Sequence, residues 1–256
     1  MSRKTLAGAL AAAALALSAQ AAAAEDLKIC VEGAYPPFSE TTASGEVVGF
    51  DIDMANAMCA AMGATCEMVK TDWDGIIPAL IERKCDAIVA SMSITPDRAQ
   101  VIDFSAKYYN TPAAFVAKEG TEMTTTPEGL EGKTVGVQRG TIHQQFMEGE
   151  FPEVELKLYG TQDEAYLDLQ SGRVDALVAD SIAMDEGFLK TDAGQGYAFF
   201  GDTYSIPKYH GEGAGVGVRK GSDLAQKFTD AIAKIRESGE YDEIQKKYFD
   251  FDVYGG

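Results

Sequence analysis

Two segments far apart in the chain repeat one pattern. Residues 79–91 read ALIERKCDAIVAS and residues 168–180 read DLQSGRVDALVAD. Each is a helix end, a polar turn, an Asp-Ala pair, an apolar strand and a polar residue at the strand's end. Asp86 is thereby matched with Asp175, and Ser91 with Asp180. The openings of the two halves also correspond. LKICVEGAYPPF (27–38) runs strand, glycine, turn, and KTVGVQRGTIHQQF (133–146) runs strand, glycine, helix. Each half therefore reads β-α-β-α-β. The first has strands at 27–31, 65–69 and 86–91 and helices at 51–62 and 74–83. The second has strands at 133–138, 154–158 and 174–179 and helices at 141–149 and 162–171. Alternation of this kind requires largely parallel sheets covered on both faces. A further strand at 213–221, a helix at 222–238 and the amphipathic stretch YDEIQKKYFDF follow, the last predicted to pack back on the first half.

The predicted fold class is α/β with two lobes, each a mainly parallel sheet flanked by helices. Residues 25–110 and 208–256 form one lobe and 113–205 the other. Crossovers fall near 109–113 and 205–212, and two crossings favour hinge motion. Ligands in such sheets sit beyond the carboxyl ends of the strands. Two facing lobes then make a cleft, with Glu32, Ser91 and Ser93 on one side and residues 138–143 and Asp180 on the other.

The N-terminus stands outside this scheme. A basic start, Met1-Ser2-Arg3-Lys4, precedes an Ala/Leu run from Leu6 to Leu17 and small residues through Ala24. That is the pattern of a secretory signal peptide over 1–24, cleaved near Ala21 or Ala24. Its removal leaves 20 basic against 40 acidic residues, a balance that disfavours nucleic acid and anionic membranes as partners. In an exported chain the four cysteines suggest disulfides. Cys59 and Cys66 bracket a helix end and make a local staple. Cys30 and Cys85 either pair across adjacent strands or stay as buried thiols. A zinc site is disfavoured by the absence of paired CxxC spacing.

The candidate chemistry gathers at the strand ends. In SITPDR, Thr95 and Pro96 read as the start of a helix, with Asp97 complementing its positive end. Arg98 falls in the first turn beside the hydroxyls of Ser91 and Ser93, an anion clamp suited to a carboxylate; its ordinary alternative is a surface pair with Asp97 or Glu82. Asp180 closes an apolar strand and needs a cation if buried, although it also suits a helix N-cap. Across a cleft, Arg98 and Asp180 match the two charges of an α-amino acid. Tyr35 and Trp73 read either as core or as facing rings for a flat or cationic side chain. Glu32 complements a cationic tip. GxSxG, HExxH and P-loop patterns are absent, and no catalytic residue, cofactor or metal is expected.

With these residues in view, the chain resembles the periplasmic amino-acid-binding proteins of ABC importers, and most of all the lysine/arginine/ornithine-, histidine- and arginine-binding group. The motifs are YPPF (35–38), GFDIDMANAMC (49–59), DWDGIIPAL (72–80), DAIVASMSITPDR (86–98), GKTVGVQRGT (132–141) and the terminal YDEIQKKYFDF. The resemblance implies the two-lobed periplasmic-binding-protein fold and a receptor, not an enzyme, that captures a cationic L-amino acid: arginine, ornithine or lysine. It implies a monomer in the periplasm that delivers its ligand to an inner-membrane ABC permease. By motif position, Arg98 would bind the α-carboxylate with backbone N–H groups around Thr141 and Ile142. Ser91, Ser93 and Asp180 would receive the α-ammonium, Tyr35 and Trp73 would sandwich the side chain, and Glu32 would meet its far end. Cys59 and Cys66 match the family's local disulfide; Cys30 and Cys85 do not belong to its pattern. Ala90 replaces a serine of some relatives. Gln138 and His143 stand at varying positions on the side-chain end. Histidine or an opine is the alternative ligand. The alternatives in other classes are a dehydratase-like enzyme on the same fold and a sensory domain.

Overall fold

The computed structural model describes residues 26–255; the expected signal peptide lies outside them. Strand β1 (Asp26–Val31) leads into a small antiparallel sheet of β2 (Ala34–Tyr35), β3 (Ser39–Thr41) and β4 (Val47–Val48). Helix α1 (Phe50–Met62) follows and ends at Gly63, whose φ of 72° turns the chain into β5 (Thr65–Lys70). Then come α2 (Ile76–Ile81), β6 (Ala87–Ile88) and β7 (Ile102–Tyr109). The second half holds β8 (Ala113–Lys118), β9 (Thr134–Gln138), α3 (Ile142–Glu150), β10 (Glu155–Tyr159), α4 (Gln162–Gln170), β11 (Ala176–Asp180), α5 (Ser181–Met184) and β12 (Tyr197–Tyr204). The one-turn helix α6 (Pro207–His210) leads back to β13 (Ala214–Arg219), α7 (Leu224–Glu237) and α8 (Glu240–Gln245).

Two five-stranded sheets result, ordered β5-β1-β6-β13-β7 and β10-β9-β11-β8-β12. In the first, β5, β1 and β6 are parallel and β13 opposes both its neighbours. In the second, β10, β9 and β11 are parallel and β8 opposes both its neighbours. The opposed strand in each sheet is the one by which the chain arrives from the other sheet. Crossings made on the side where the parallel strands end oblige the arriving strand to run away from that side, which makes the sheets mixed. Each sheet carries apolar packing on both faces, as helical cover on two sides demands. All five residues of β11 are buried, the four apolar ones running unbroken up to Asp180 as in a strand covered on both faces.

The structure corrects several sequence expectations. The strand expected at 86–91 is regular only over Ala87–Ile88. Val89 still donates to the Cys30 carbonyl at 3.0 Å, but Ser91 adopts φ 53° and turns the chain out of the sheet. The helix expected at 74–83 is a 3-10 turn at Trp73–Gly75 followed by α2. After Pro96 only a 3-10 turn forms, Arg98–Gln100, held by the Arg98 N–H donating to Thr95 Oγ1 at 3.3 Å. Strands β7, β8 and β12 and the small β2-β3-β4 sheet are absent from the repeat-based scheme. The C-terminal elements contact β7 and α1: the Tyr241 hydroxyl donates to the Tyr108 carbonyl at 2.7 Å, and Lys247 pairs with Asp53 at 2.9 Å.

Both cysteine pairs are disulfides, Cys59–Cys66 with Cα atoms 6.1 Å apart and Cys30–Cys85 with Cα atoms 5.7 Å apart. Cys30 lies on β1 and Cys85 just before its neighbour β6, so the second bridge ties adjacent strands and closes a loop of 55 residues. A loop of that length restricts the unfolded chain strongly. The double change Cys30→Ala with Cys85→Ala is predicted to cost about 2–4 kcal/mol, read as a lower urea midpoint. An unchanged midpoint under oxidising conditions would contradict the pairing.

Candidate functional site

A cleft lies between the strand ends of the two sheets. Every residue singled out in the sequence as a ligand contact lines it. Glu32, Tyr35, Trp73, Ser91, Ser93 and Arg98 come from the first half of the chain, and Thr141, Ile142, His143 and Asp180 from the second. Ala90 and Gln138 complete the wall.

Arg98 is fixed by its backbone turn and by three contacts. Its Nη1 donates to the Ser93 carbonyl at 3.1 Å and its Nη2 to the Gly140 carbonyl at 3.4 Å. Its guanidinium carbon lies 5.3 Å from the centre of the Trp73 ring, within cation–π range. Trp73 is thus partly engaged with the arginine. Burial lowers the Arg98 pKa to about 10, and the attraction of Asp180 works against that fall. The guanidinium has no carboxylate in an ion pair among the described residues. Gly140 adopts φ 71° where β9 turns into α3. Thr141 caps that helix, accepting from the Gln144 N–H at 3.3 Å and donating to the Gln138 carbonyl at 2.7 Å. Helix-start N–H groups lack intrahelical acceptors and suit an anion; here they belong to residues on the cleft wall.

Asp180 is buried at the end of β11, with no Lys or Arg in ion-pair contact among the described residues. The Tyr35 hydroxyl donates to its Oδ2 at 2.7 Å, and His143 Nε2 lies 3.6 Å from its Oδ1. Tyr35 therefore does more than offer a ring face: it orients the acid from the opposite half of the chain. His143 Nδ1 has no hydrogen-bond partner among the described residues. His210, which the sequence reading did not assign to the site, packs 6.1 Å from the His143 ring. Burial first, and His143 second, lower the His210 pKa to about 4, keeping it neutral.

Asp51 was missed as a supporting residue. It is fully buried in the first turn of α1 and accepts from the Ser91 hydroxyl at 2.9 Å and the Tyr108 hydroxyl at 2.8 Å. A serine that spends its proton on Asp51 keeps only lone pairs for the cleft, which suits an ammonium. The left-handed backbone at Ser91 is held by its own N–H donating to the Tyr108 hydroxyl at 3.2 Å, local strain of the kind found at ligand sites. An acid two residues after a glycine, at a helix start, is all the sequence shows of this arrangement.

Glu32 is buried at the end of β1 and accepts from Gln138 Nε2 at 2.5 Å. Burial pushes its pKa from 4.5 up to about 7. The Gln138 bond opposes that rise, while Asp163, Asp51 and Asp72 add to it. Burial likewise raises Asp51 to about 7. The cleft thus presents one guanidinium against several buried or crowded acids, an excess that a cationic ligand would relieve.

The halves touch directly across this cleft. Besides Tyr35–Asp180, Gln138–Glu32 and Arg98–Gly140, Arg139 pairs with Asp74 at 2.7 Å at the rim. Opposite Pro36, Gly187 packs so tightly that an added Cβ would lie 2.8 Å from the Pro36 carbonyl oxygen.

Residues 27–251 match the model of the bacterial extracellular solute-binding proteins, family 3. The chain belongs to that family. It is 49% identical over 258 residues to the L-arginine-binding protein of Pseudomonas aeruginosa, covering 100% of this chain and 99% of that one. It is 42% identical over 243 residues to the lysine/arginine/ornithine-binding periplasmic protein of Escherichia coli K12, covering 94% of each. Among solved structures it is similar to a Salmonella typhimurium periplasmic binding protein described for high arginine specificity, with TM-score 0.82, 35% identity, 88% of this chain and 100% of that chain covered. The family is one of solute-binding receptors, and the two-lobed α/β architecture is its fold.

The raised pKa of Glu32 fixes the sign of a pH effect. A carboxyl that holds its proton more tightly when folded stabilises the protein fully below pH 4.5, and that contribution is lost as pH rises through about 7. The ligand-free protein is therefore predicted to melt at lower temperature at pH 8 than at pH 5, with Glu32→Gln flattening the slope. An identical slope in Glu32→Gln, measured by calorimetric melts, would place the responsible carboxyl elsewhere.

Proposed function

We propose that the protein is a periplasmic receptor for a cationic L-amino acid, arginine, ornithine or lysine, that works as a monomer and hands its ligand to an inner-membrane ABC permease. The observation that carries this reading is the placing of Arg98 and Asp180 on one cleft wall each, with an additional unpaired acid, Glu32, in the same cleft. A free α-amino acid supplies one anion and one cation a short distance apart. Its carboxylate would take Arg98 and the N–H groups that start α3. Its ammonium would take Asp180 with the lone pairs of Ser91 and Ser93. A side chain running between Tyr35 and Trp73 would bring a positive tip to Glu32. The relatives named for arginine, lysine and ornithine support the same ligand class.

Two lobes, residues 25–110 with 208–256 and residues 113–205, would move about the crossovers. The ligand would favour the closed arrangement because only that arrangement offers it both charged partners. Binding, not turnover, is the reading supported by a zwitterion clamp whose acids and base are tied to positioning bonds.

Arg98→Ala is predicted to lower affinity for every amino acid bound by about 100-fold or more, since it leaves a desolvated carboxylate without its cation. Isothermal titration with an unchanged dissociation constant would reject the carboxylate assignment. Glu32→Gln is predicted to weaken L-arginine and L-lysine about tenfold or more, the scale of a lost charge-assisted hydrogen bond, while leaving L-glutamine within about threefold. Equal losses for all three would remove the basis for a cationic side chain.

A further inference from the structure

The halves also meet away from the cleft lining, where Gly187 faces Pro36. Gly187 sits in a π-helical turn, Asp185–Leu189, that continues α5, and turns of this kind recur at functional sites. An added Cβ would lie 2.8 Å from the Pro36 carbonyl oxygen and 3.1 Å from Pro36 Cγ, and the three nearest atoms all belong to Pro36. Neither side yields readily. Phe188, next to Gly187, is buried and stacks on Tyr166 with ring centres 4.6 Å apart. On the other side, the Phe38 N–H donates to the Tyr35 carbonyl at 3.0 Å and the Phe50 N–H to the Pro37 carbonyl at 3.0 Å, while the Phe38 ring stacks on Tyr109 at 4.6 Å. Gly187 does not adopt a positive φ. Its own backbone therefore accepts alanine, the better helix former; the approach of Pro36 is what excludes a side chain.

The same two segments carry a bond across the cleft. Tyr35 directly precedes Pro36, and Asp180 opens the segment that runs through α5 into the π turn. The Tyr35 hydroxyl donates to Asp180 Oδ2 at 2.7 Å. A side chain at position 187 would hold these segments apart where Tyr35 reaches for Asp180. We infer that Gly187 is a positioning residue for closure: its missing side chain lets the halves approach until Tyr35 orients Asp180. It lies outside the cleft wall, so it acts on every ligand alike. This inference rests on the two-lobed receptor reading and adds to it a residue that sets how far the lobes close.

The test is isothermal titration of the wild-type protein, Gly187→Ala and Gly187→Ser with L-arginine and L-lysine, together with calorimetric melts of each protein free of ligand. Serine carries the same Cβ with different local preferences, so one variant serves if the other does not fold. Either variant is expected to weaken both ligands about tenfold, the scale of overpacking a close contact, and to leave the arginine-to-lysine ratio within about twofold of the wild type. The loss arises because the closed arrangement becomes a smaller fraction of the population. The ligand-free melting temperature is expected to stay level or rise, since the clash exists only when the halves meet. Unchanged affinities would overturn the role of Gly187 while leaving the receptor standing. Weaker binding matched by a lower ligand-free melting temperature would make the residue a structural one and overturn it too. A wild type that binds neither cationic amino acid overturns the underlying reading and this inference with it.

Discussion

Everything in the cleft depends on two charges that the fold desolvates without joining. Arg98 is held against Trp73 by carbonyl acceptors alone, and Asp180 is held by a tyrosine hydroxyl and flanked by a histidine. A half-buried guanidinium and a buried carboxylate would ordinarily be driven into a pair, because each alone is costly. Here they stand on different halves of the chain, Arg98 oriented by carbonyl acceptors and Asp180 by a tyrosine hydroxyl. Such a pair stores binding free energy for a molecule that brings both complementary charges.

The topology explains how this separation is sustained. Parallel strands in both sheets end on the cleft side, so each sheet delivers polar residues there: Glu32 after β1, Ser91 beyond β6, Gln138 at the end of β9 and Asp180 at the end of β11. The chain also crosses on that side, between β7 and β8 and between β12 and β13. Polar strand ends and crossovers are therefore neighbours by construction. Contacts such as Tyr35–Asp180 and Gln138–Glu32 tie the halves where a ligand would lie. The supporting residues extend the same logic. Asp51 sets the Ser91 hydroxyl and Tyr35 sets Asp180, so a change at either position acts on a ligand through another residue.

Much of this was legible in the chain because central parallel strands announce themselves. The runs AIVA and ALVAD are buried on both faces, and their repeat within matching helix-turn-strand units exposed the two-fold plan. The strand-end rule then named the cleft residues. What escaped was of a different kind. Strands β7, β8 and β12 lie outside the β-α-β-α-β units and serve the crossings, so the sequence repeat does not mark them. The apolar stretch after Asp86 gave no sign that Ser91 would turn left-handed and end the strand early. Partnerships between residues 145, 106 and 40 positions apart, namely Tyr35–Asp180, Glu32–Gln138 and Asp51–Ser91, arise from tertiary placement and leave no local spacing to read. Cys30–Cys85 is intermediate: each cysteine sits at a legible strand, but the adjacency of β1 and β6 is what pairs them.

The most direct measurement is a crystal structure of the protein with L-arginine in the cleft. The account predicts one ligand whose carboxylate accepts from the Arg98 guanidinium while its α-ammonium donates to the Asp180 carboxylate, so that a single molecule touches both sheets. A ligand seated on one sheet alone, with either charge turned to solvent, would contradict it.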